Sequence, residues 1–181
     1  LLPLVGHAYE ERGTPFVTSA EILEDVVRSL PPHMLKNALG NTAAEIALLL
    51  PDLRREFPNI PEPATLPPEQ QQRFLFNAVL EFLTRLGRSC PLVLMLDDLH
   101  WADKPSLLLL QFMARELRGS RLLVLGTYRD VEPRRAHPLS QTLGELGREG
   151  LSQRILLRGL TEKDVKRFIE IPAGVEPAPR L

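Results

Sequence analysis

The feature that most constrains this chain is an unbroken apolar run, Leu92-Val-Leu-Met-Leu96, which ends in two adjacent acids, Asp97 and Asp98. Apolar residues without alternation are typical of a strand that is buried on both faces of a parallel sheet. Open α/β sheets bind ligands outside the carboxyl ends of their strands, so acids there are placed to hold a cation and to polarise a water molecule. The alternative is an ordinary strand followed by a turn whose acids cap the next helix.

Helical and strand-like patterns alternate after this run. Asp103 is a plausible helix cap, and the apolar residues that follow predict a helix as far as Gly119. Further along, the patterns predict a strand at 121–127, a helix at 138–147, a third strand at 153–157 and a last helix from Thr161 to Pro172. This alternation favours βαβ units, hence an α/β fold with a parallel sheet.

The first half of the chain contributes one more strand and mostly helices. We expect a strand at 4–9, a helix at 17–30 capped by Ser19, one helix at 33–50, an irregular proline-rich excursion at 51–68 and a helix from there to Gly87. The excursion is expected to lie within one domain, because the strand that completes the core comes after it.

Charge and composition exclude several classes of protein. The net charge is -1, which gives no reason to expect direct contact with nucleic acid. No apolar run approaches the length of about 18 residues that a membrane span needs. Cys90 is the single cysteine, so the chain forms no internal disulfide and suits a reducing compartment, from which we expect a cytoplasmic location.

Polar residues follow two successive strands of the predicted sheet, Asp97 and Asp98 after the first and Thr127 and Arg129 after the second. The carboxyl ends of parallel strands meet at one edge of a sheet, so neighbouring strands would bring these residues together. In a phosphate-handling site, Asp97 would hold Mg²⁺, Asp98 would orient the attacking water and Arg129 would contact a terminal phosphate. Thr127 could add a hydrogen bond to the bound cofactor.

Arg129 also has a second interpretation. Acids follow it at positions 130 and 132, and a surface ion pair with one of them is as consistent with the spacing as contact with a phosphate.

Three segments carry a resemblance to a known family: Leu92-Val-Leu-Met-Leu-Asp-Asp-Leu-His-Trp-Ala-Asp103, Leu107-Leu-Leu-Leu-Gln-Phe-Met-Ala-Arg115 and Leu122-Leu-Val-Leu-Gly-Thr-Tyr-Arg-Asp130. They resemble the ATPase domain of bacterial signalling ATPases, the AAA-related, STAND-type P-loop NTPases. Such domains occur in large LuxR-type transcriptional regulators and fused to class III adenylate cyclases or serine/threonine kinases. The beginning and end of the chain, 5–11 and 156–164, resemble other parts of that domain.

The resemblance implies a parallel-sheet, P-loop NTPase-like three-layer sandwich that uses ATP and Mg²⁺. It assigns Asp97 and Asp98 to the Walker B role and Arg129 to sensing the γ-phosphate. It implies a nucleotide, the output domain of a longer parent protein and possible self-association as partners, with no membrane contact and no nucleic acid bound by this segment.

The chain departs from that family in one respect. Such proteins hold phosphates with a glycine-rich loop, G-x-x-x-x-G-K-[ST], but none of the four lysines here follows a glycine. In the family the loop would lie upstream of Leu1 and its strand would be central. We therefore expect a sheet that is incomplete at its N-terminal strand, with backbone and apolar surface exposed in the gap. Residues 1–171 would form this partial ATPase core, and 172–181 a frayed tail.

Three functional hypotheses follow. In the first, the parent protein is an ATP-dependent switch, and a slow one, because Asp98 stands where many AAA ATPases use the longer glutamate. In the second, the domain is a non-enzymatic interaction scaffold with a degenerate P-loop-like fold, which the missing phosphate loop and the proline-rich excursion favour. A DNA-remodelling ATPase is a third hypothesis, and the near-neutral charge argues against it.

We predict that residues 1–181 alone do not hydrolyse ATP, because their sequence contains no glycine-rich phosphate loop. Phosphate release with Mg²⁺ and ATP should match a protein-free blank. Turnover that disappears in the Asp98→Ala variant would contradict this prediction.

Overall fold

The protein folds around three parallel strands. A computed structural model describes residues 1–10, 15–129 and 137–173. Its strands are β1 (Leu2–His7), β2 (Leu92–Asp97) and β3 (Leu122–Gly126), in the spatial order β1-β2-β3. Both strand pairs are parallel. The α/β class and the parallel sheet predicted from the sequence are confirmed.

The helices fill the connections between the strands. Between β1 and β2 lie α1 (Val17–Ser29), α2 (Pro32–Leu39), α3 (Ala43–Leu49), α4 (Leu53–Glu56) and α5 (Pro68–Ser89). Helix α6 (Lys104–Glu116) joins β2 to β3, and α7 (Pro138–Arg148) and α8 (Glu162–Ala173) follow. Helix α7 packs against α6, where the Arg115 guanidinium donates to both carboxylate oxygens of Glu149 at 2.9 and 2.7 Å. No helix in the described residues combines the length and apolarity needed to cross a bilayer.

The two faces of the sheet have different surroundings. On one face, Leu4 of β1 and Leu94 of β2 are almost completely buried in a core that includes Phe82 of α5 and Leu107 of α6. Alternate residues point to the other face, and there the exposed fractions are 39% for Met95, 53% for Leu123 and 44% for Leu125. Parallel sheets are normally covered on both faces, so the exposure of these apolar side chains is unusual; that the sheet is incomplete stays a prediction.

The two edges of the sheet also differ. At the β1 edge, Pro3 has no amide hydrogen, and two acids of α1 accept from the next outward-facing amides. The Val5 amide donates to Asp25 Oδ2 at 3.4 Å, and the His7 amide donates to Glu21 Oε2 at 2.7 Å. These contacts block the addition of another strand at β1. Strand β3 forms the opposite edge and pairs only with β2 in the described part of the sheet.

The third strand predicted at 153–157 is wrong. The structure contains no strand there, and Ile155, Leu156 and Leu157 are 75%, 61% and 85% exposed. An apolar run becomes a strand only when a neighbour satisfies its backbone, and no described strand pairs with this one. The sequence pattern indicates the strand propensity of this segment, but it does not reveal whether a neighbouring strand can pair with it.

Two helix predictions are also corrected. The single helix expected at 33–50 is divided at Gly40, whose φ of 47° is left-handed. There the Arg85 guanidinium donates to the carbonyls of Ala38 and Leu39 at 3.3 and 3.0 Å, which closes the end of α2. Ser19 is not the cap of α1, because that helix already begins at Val17.

The expected boundary at the end of the chain is only partly covered by the structure. Helix α8 continues to Ala173, and the remainder of the predicted tail lies outside the described residues. The division into a core at 1–171 and a tail at 172–181 therefore stays a prediction.

Gly6 allows α1 to lie directly against β1. A Cβ atom at this position would be 2.4 Å from the backbone oxygen of Thr18 and 2.8 Å from Ile22 Cγ1. The backbone oxygen cannot rotate away as a side chain could, so any larger residue must push the helix off the strand.

We predict that Gly6→Ala lowers the free energy of unfolding by about 1–3 kcal/mol, the usual cost of overpacking. Gly144→Ala is the matched control, because a Cβ there meets nothing within 4 Å and the glycine is an exposed residue of α7. It should raise stability by up to ~1 kcal/mol through helix propensity. Urea unfolding of both variants tests this, and equal effects in the two variants would contradict the assigned contact.

Candidate functional site

The two acids lie where β2 ends, but their backbones differ. Asp97 is the last residue of the strand, whereas Asp98 has left-handed backbone angles, φ 56° and ψ 41°. Aspartate is among the few residues other than glycine that adopt this conformation readily. The chain therefore turns sharply at Asp98 and enters a short 3₁₀ turn, Leu99–Trp101. This turn keeps both acids at the carboxyl edge of the sheet.

Thr127, the residue after β3, holds the two acids. Its hydroxyl donates to Asp97 Oδ1 and accepts from the Asp98 amide at 3.0 Å. Its own amide donates to the Leu96 carbonyl at 2.9 Å, and its carbonyl accepts from the Leu99 amide at 2.8 Å. Thr127, which directly follows β3, thus fixes both the carboxylate of Asp97 and the backbone turn at Asp98.

The predicted convergence of Asp97, Asp98 and Thr127 at one edge is therefore what the structure shows. Thr127 was expected to hydrogen-bond the bound cofactor, and in the structure its hydroxyl hydrogen-bonds Asp97 and Asp98 instead. Direct contact with a nucleotide stays a prediction.

The first two residues of the turn after the acids, Leu99 and His100, are buried, whereas the third, Trp101, is exposed. A Cβ atom at Gly126 would lie 2.5 Å from Leu99 Cδ1, so the glycine allows the turn to pack onto the end of β3. The side chain of His100 is 2% exposed, and its Nδ1 is 3.7 Å from Asp98 Oδ1. Its ring centroid lies 4.9 Å from that of Trp101, which is itself 36% exposed.

Asp103 closes the turn and caps α6, as the sequence predicts. Its carboxylate accepts from the Ser106 amide at 2.9 Å and from the Ser106 hydroxyl at 2.7 Å. It also accepts from the Phe16 amide at 3.2 Å, a contact that sequence spacing did not reveal. The segment that enters α1 is thereby attached to the acid-bearing turn.

A second group of polar side chains lies at the end of β1. His7 is the register partner of Asp97, and its ring Nδ1 is 3.3 Å from Glu21 Oε2. Burial raises the pKa of Glu21, but hydrogen bonds from the His7 amide, the Tyr9 hydroxyl and the His7 ring outweigh it, so that the pKa lies below its ordinary value. The same hydrogen bond to Glu21 raises the pKa of Tyr9. A lone histidine in the sequence gave no signal of this cluster.

Arg129 lies two residues beyond Thr127 and is exposed to solvent. The acids of the alternative ion pair, at 130 and 132, lie outside the described residues. Its role as a phosphate sensor therefore stays a prediction, as does the alternative.

The side chains present suit a magnesium–nucleotide complex. Mg²⁺ is usually bound by one or two carboxylates together with water and substrate phosphates. Asp97 offers a carboxylate with a fixed orientation, and Asp98 a second one whose side chain is 46% exposed. In the described ranges no group of three or more histidine, cysteine and acid side chains could hold an ion by itself. The two carboxylates of Asp97 and Asp98 therefore fit an ion whose other ligands are water and the phosphates of a nucleotide.

Comparison with known proteins gives one match. A family described as the AAA ATPase domain matches residues 3–125, which is more than half of the chain and includes Asp97 and Asp98. Thr127 and Arg129 lie beyond the matched range. Searches of curated proteins and of solved structures found no match.

We predict that Thr127→Val lowers the free energy of unfolding by about 1 kcal/mol, because it removes a hydrogen-bond donor to Asp97 and an acceptor for the Asp98 amide. Thr127→Ser keeps the hydroxyl and should lose much less. Urea unfolding measures the stability, and faster hydrogen exchange of the Asp98 amide in the valine variant reports the broken contact. Equal behaviour of the two variants would show that the hydroxyl does not hold the turn.

Proposed function

This chain belongs to the AAA ATPase domain family, and we propose that it is the ATP-binding switch domain of a bacterial signalling or transcriptional regulator. In this proposal the parent protein binds ATP with Mg²⁺, hydrolyses it slowly and uses the bound state to control an attached output domain. The single cysteine supports a cytoplasmic location.

The observation that carries this proposal is the hydroxyl of Thr127, which hydrogen-bonds the acids of the neighbouring strand. A pair of acids that only capped the next helix would not need this contact, and in this chain a different residue, Asp103, caps α6. Asp97 and Asp98 are thus available for a ligand at the carboxyl edge, where open α/β sheets bind theirs.

Each acid has a separate role in the proposed reaction. Asp97, oriented by Thr127, would ligate Mg²⁺, which neutralises charge on the phosphates when bound. Asp98 would accept a hydrogen bond from the attacking water and orient it. Its short side chain, on a backbone fixed in the left-handed conformation, reaches less far than a glutamate would. Slow turnover suits a switch, which must remain in its bound state long enough to be read.

Arg129 completes the proposed site as the sensor of the γ-phosphate. It follows β3 at the same edge of the sheet and has an exposed side chain that could reach a phosphate. The support is its position after the strand end and the resemblance of 122–130 to the family.

We further propose that the parent supplies the phosphate loop on a strand and a helix that precede β1. The support is the asymmetry of the sheet: among the described residues no strand pairs with β3 at its outer edge, and Met95, Leu123 and Leu125 are exposed on one face. A strand added beside β3 and linked to β1 by a right-handed crossover would place its helix on that face. A single βα unit would therefore cover both the free edge and the apolar face.

A second candidate function is a non-enzymatic interaction scaffold. Apolar side chains between β3 and the end of the described chain favour it, because they are exposed: Ile155, Leu156, Leu157, Leu160, Phe168 and Ile169. A partner could bind these residues without nucleotide. Partner binding that is unaffected by ATP, in a protein that does not bind ATP, would favour this candidate.

We predict that the full-length protein binds ATP in the presence of Mg²⁺, and that Asp97→Asn weakens this binding at least about tenfold, equivalent to ~1.4 kcal/mol. Without Mg²⁺ the two proteins should bind ATP equally, because the lost interaction runs through the ion. Calorimetry measures the affinity, and the emission of Trp101, the single tryptophan, gives a second signal.

Asp52→Asn is the control, since Asp52 is an exposed acid beside α4 that interacts with Arg55. It should leave both affinities unchanged. No ATP binding by the unaltered full-length protein would overturn the proposed function.

A further inference from the structure

We infer that His100 is a positioning residue that holds the carboxylate of Asp98 in the orientation needed to direct the attacking water. This inference rests on the proposed function and adds a residue to it. Its basis is a set of contacts around the short turn after β2.

The first observation is that His100 is buried directly beside an acid that is not. The imidazole is 2% exposed, whereas the Asp98 side chain is 46% exposed, and the two approach to 3.7 Å between Nδ1 and Oδ1. Asp98 can therefore face a ligand in solvent while one of its oxygens adjoins a fixed ring. At 3.7 Å these two atoms are too far apart for a hydrogen bond, but the contacts of catalytic groups are often long before the ligand binds and shorten in the complex.

The second observation is that packing alone does not require an imidazole here. Burying a polar ring costs free energy unless its nitrogens interact with neighbouring groups. A phenyl ring would fill similar space against Trp101 without that cost. One charged group that lies beside the ring is the carboxylate of Asp98, whose Oδ1 is 3.7 Å from Nδ1.

The third observation is that the backbone of Asp98 is already fixed from the other side. Its left-handed angles and the hydrogen bond from its amide to Thr127 leave mainly the side-chain torsions free. A contact with His100 removes part of that freedom. Thr127 thus fixes the backbone and His100 restricts the carboxylate, which shortens the movement that Asp98 must make when the ligand binds.

The test uses the full-length protein and steady-state ATP hydrolysis. His100→Phe keeps an aromatic ring but loses both nitrogens, so kcat should fall by about tenfold to 100-fold, the cost of a misplaced catalytic group. KM for ATP should stay within about twofold, because binding depends on other residues. His100→Asn places an amide donor close to the position of Nδ1 and should recover most of kcat.

His33→Phe is the matched control, since His33 is exposed on α2, and it should leave kcat and KM unchanged. Melting temperature and Trp101 emission identify variants that do not fold. If His100→Phe does not fold, His100→Leu takes its place, because it also lacks both nitrogens: a loss of kcat that His100→Asn recovers supports the inference, and normal kcat overturns it.

The outcomes separate this inference from the proposed function. Normal kcat in His100→Phe, or equal losses in folded Phe and Asn variants, would overturn the role of His100 while leaving an ATPase. Absence of ATP binding and hydrolysis in the unaltered protein would overturn both.

Discussion

The hydrogen bonds of one hydroxyl, that of Thr127, connect the two strands on which the candidate site depends. The hydroxyl donates to Asp97 and accepts from the amide of Asp98. It can do so only because β2 and β3 are parallel neighbours whose register places Asp97 beside the residue that follows Gly126. Backbone hydrogen bonds of Thr127 to Leu96 and Leu99 keep the two strand ends together. Every role proposed for the acids follows from this pairing.

The asymmetry of the sheet is the second constraint. At the β1 edge, acids of α1 accept from strand amides. The pKa of one of them, Glu21, is lowered because hydrogen bonds from the His7 amide, the Tyr9 hydroxyl and the His7 ring outweigh the effect of burial. At the β3 edge and on one face, apolar side chains remain exposed. In the part of the chain that the structure describes, charged side chains thus cover one edge of the sheet and no strand covers the other, so additional structure would be added at the β3 side. The proposed phosphate-loop unit would add its strand beside β3 and its helix on the exposed face, as a right-handed crossover connection requires.

The accuracy of the sequence predictions depended on whether the information was local. The acid-bearing strand and the Asp103 cap were predicted correctly, because each depends on residues within a short segment. The parallel sheet was predicted correctly from the alternation of strand and helix patterns. The helix at 33–50 was not, since its break depends on Arg85, far along the chain, which closes the end of α2 at Gly40. The strand at 153–157 failed for a related reason, as strand propensity needs a neighbouring strand to take effect.

The sequence by itself determined the class of fold, the strand that carries Asp97 and Asp98, and the polar residues that follow the next strand. These follow from local patterns, because the apolar periodicity of a segment reports how it is buried. Only the tertiary structure decided that Thr127 hydrogen-bonds both acids, that Asp98 is left-handed and that His100 lies buried beside it. Those facts arise from the register between strands and from contacts across the core, which link residues distant in the chain and leave no periodic trace in it.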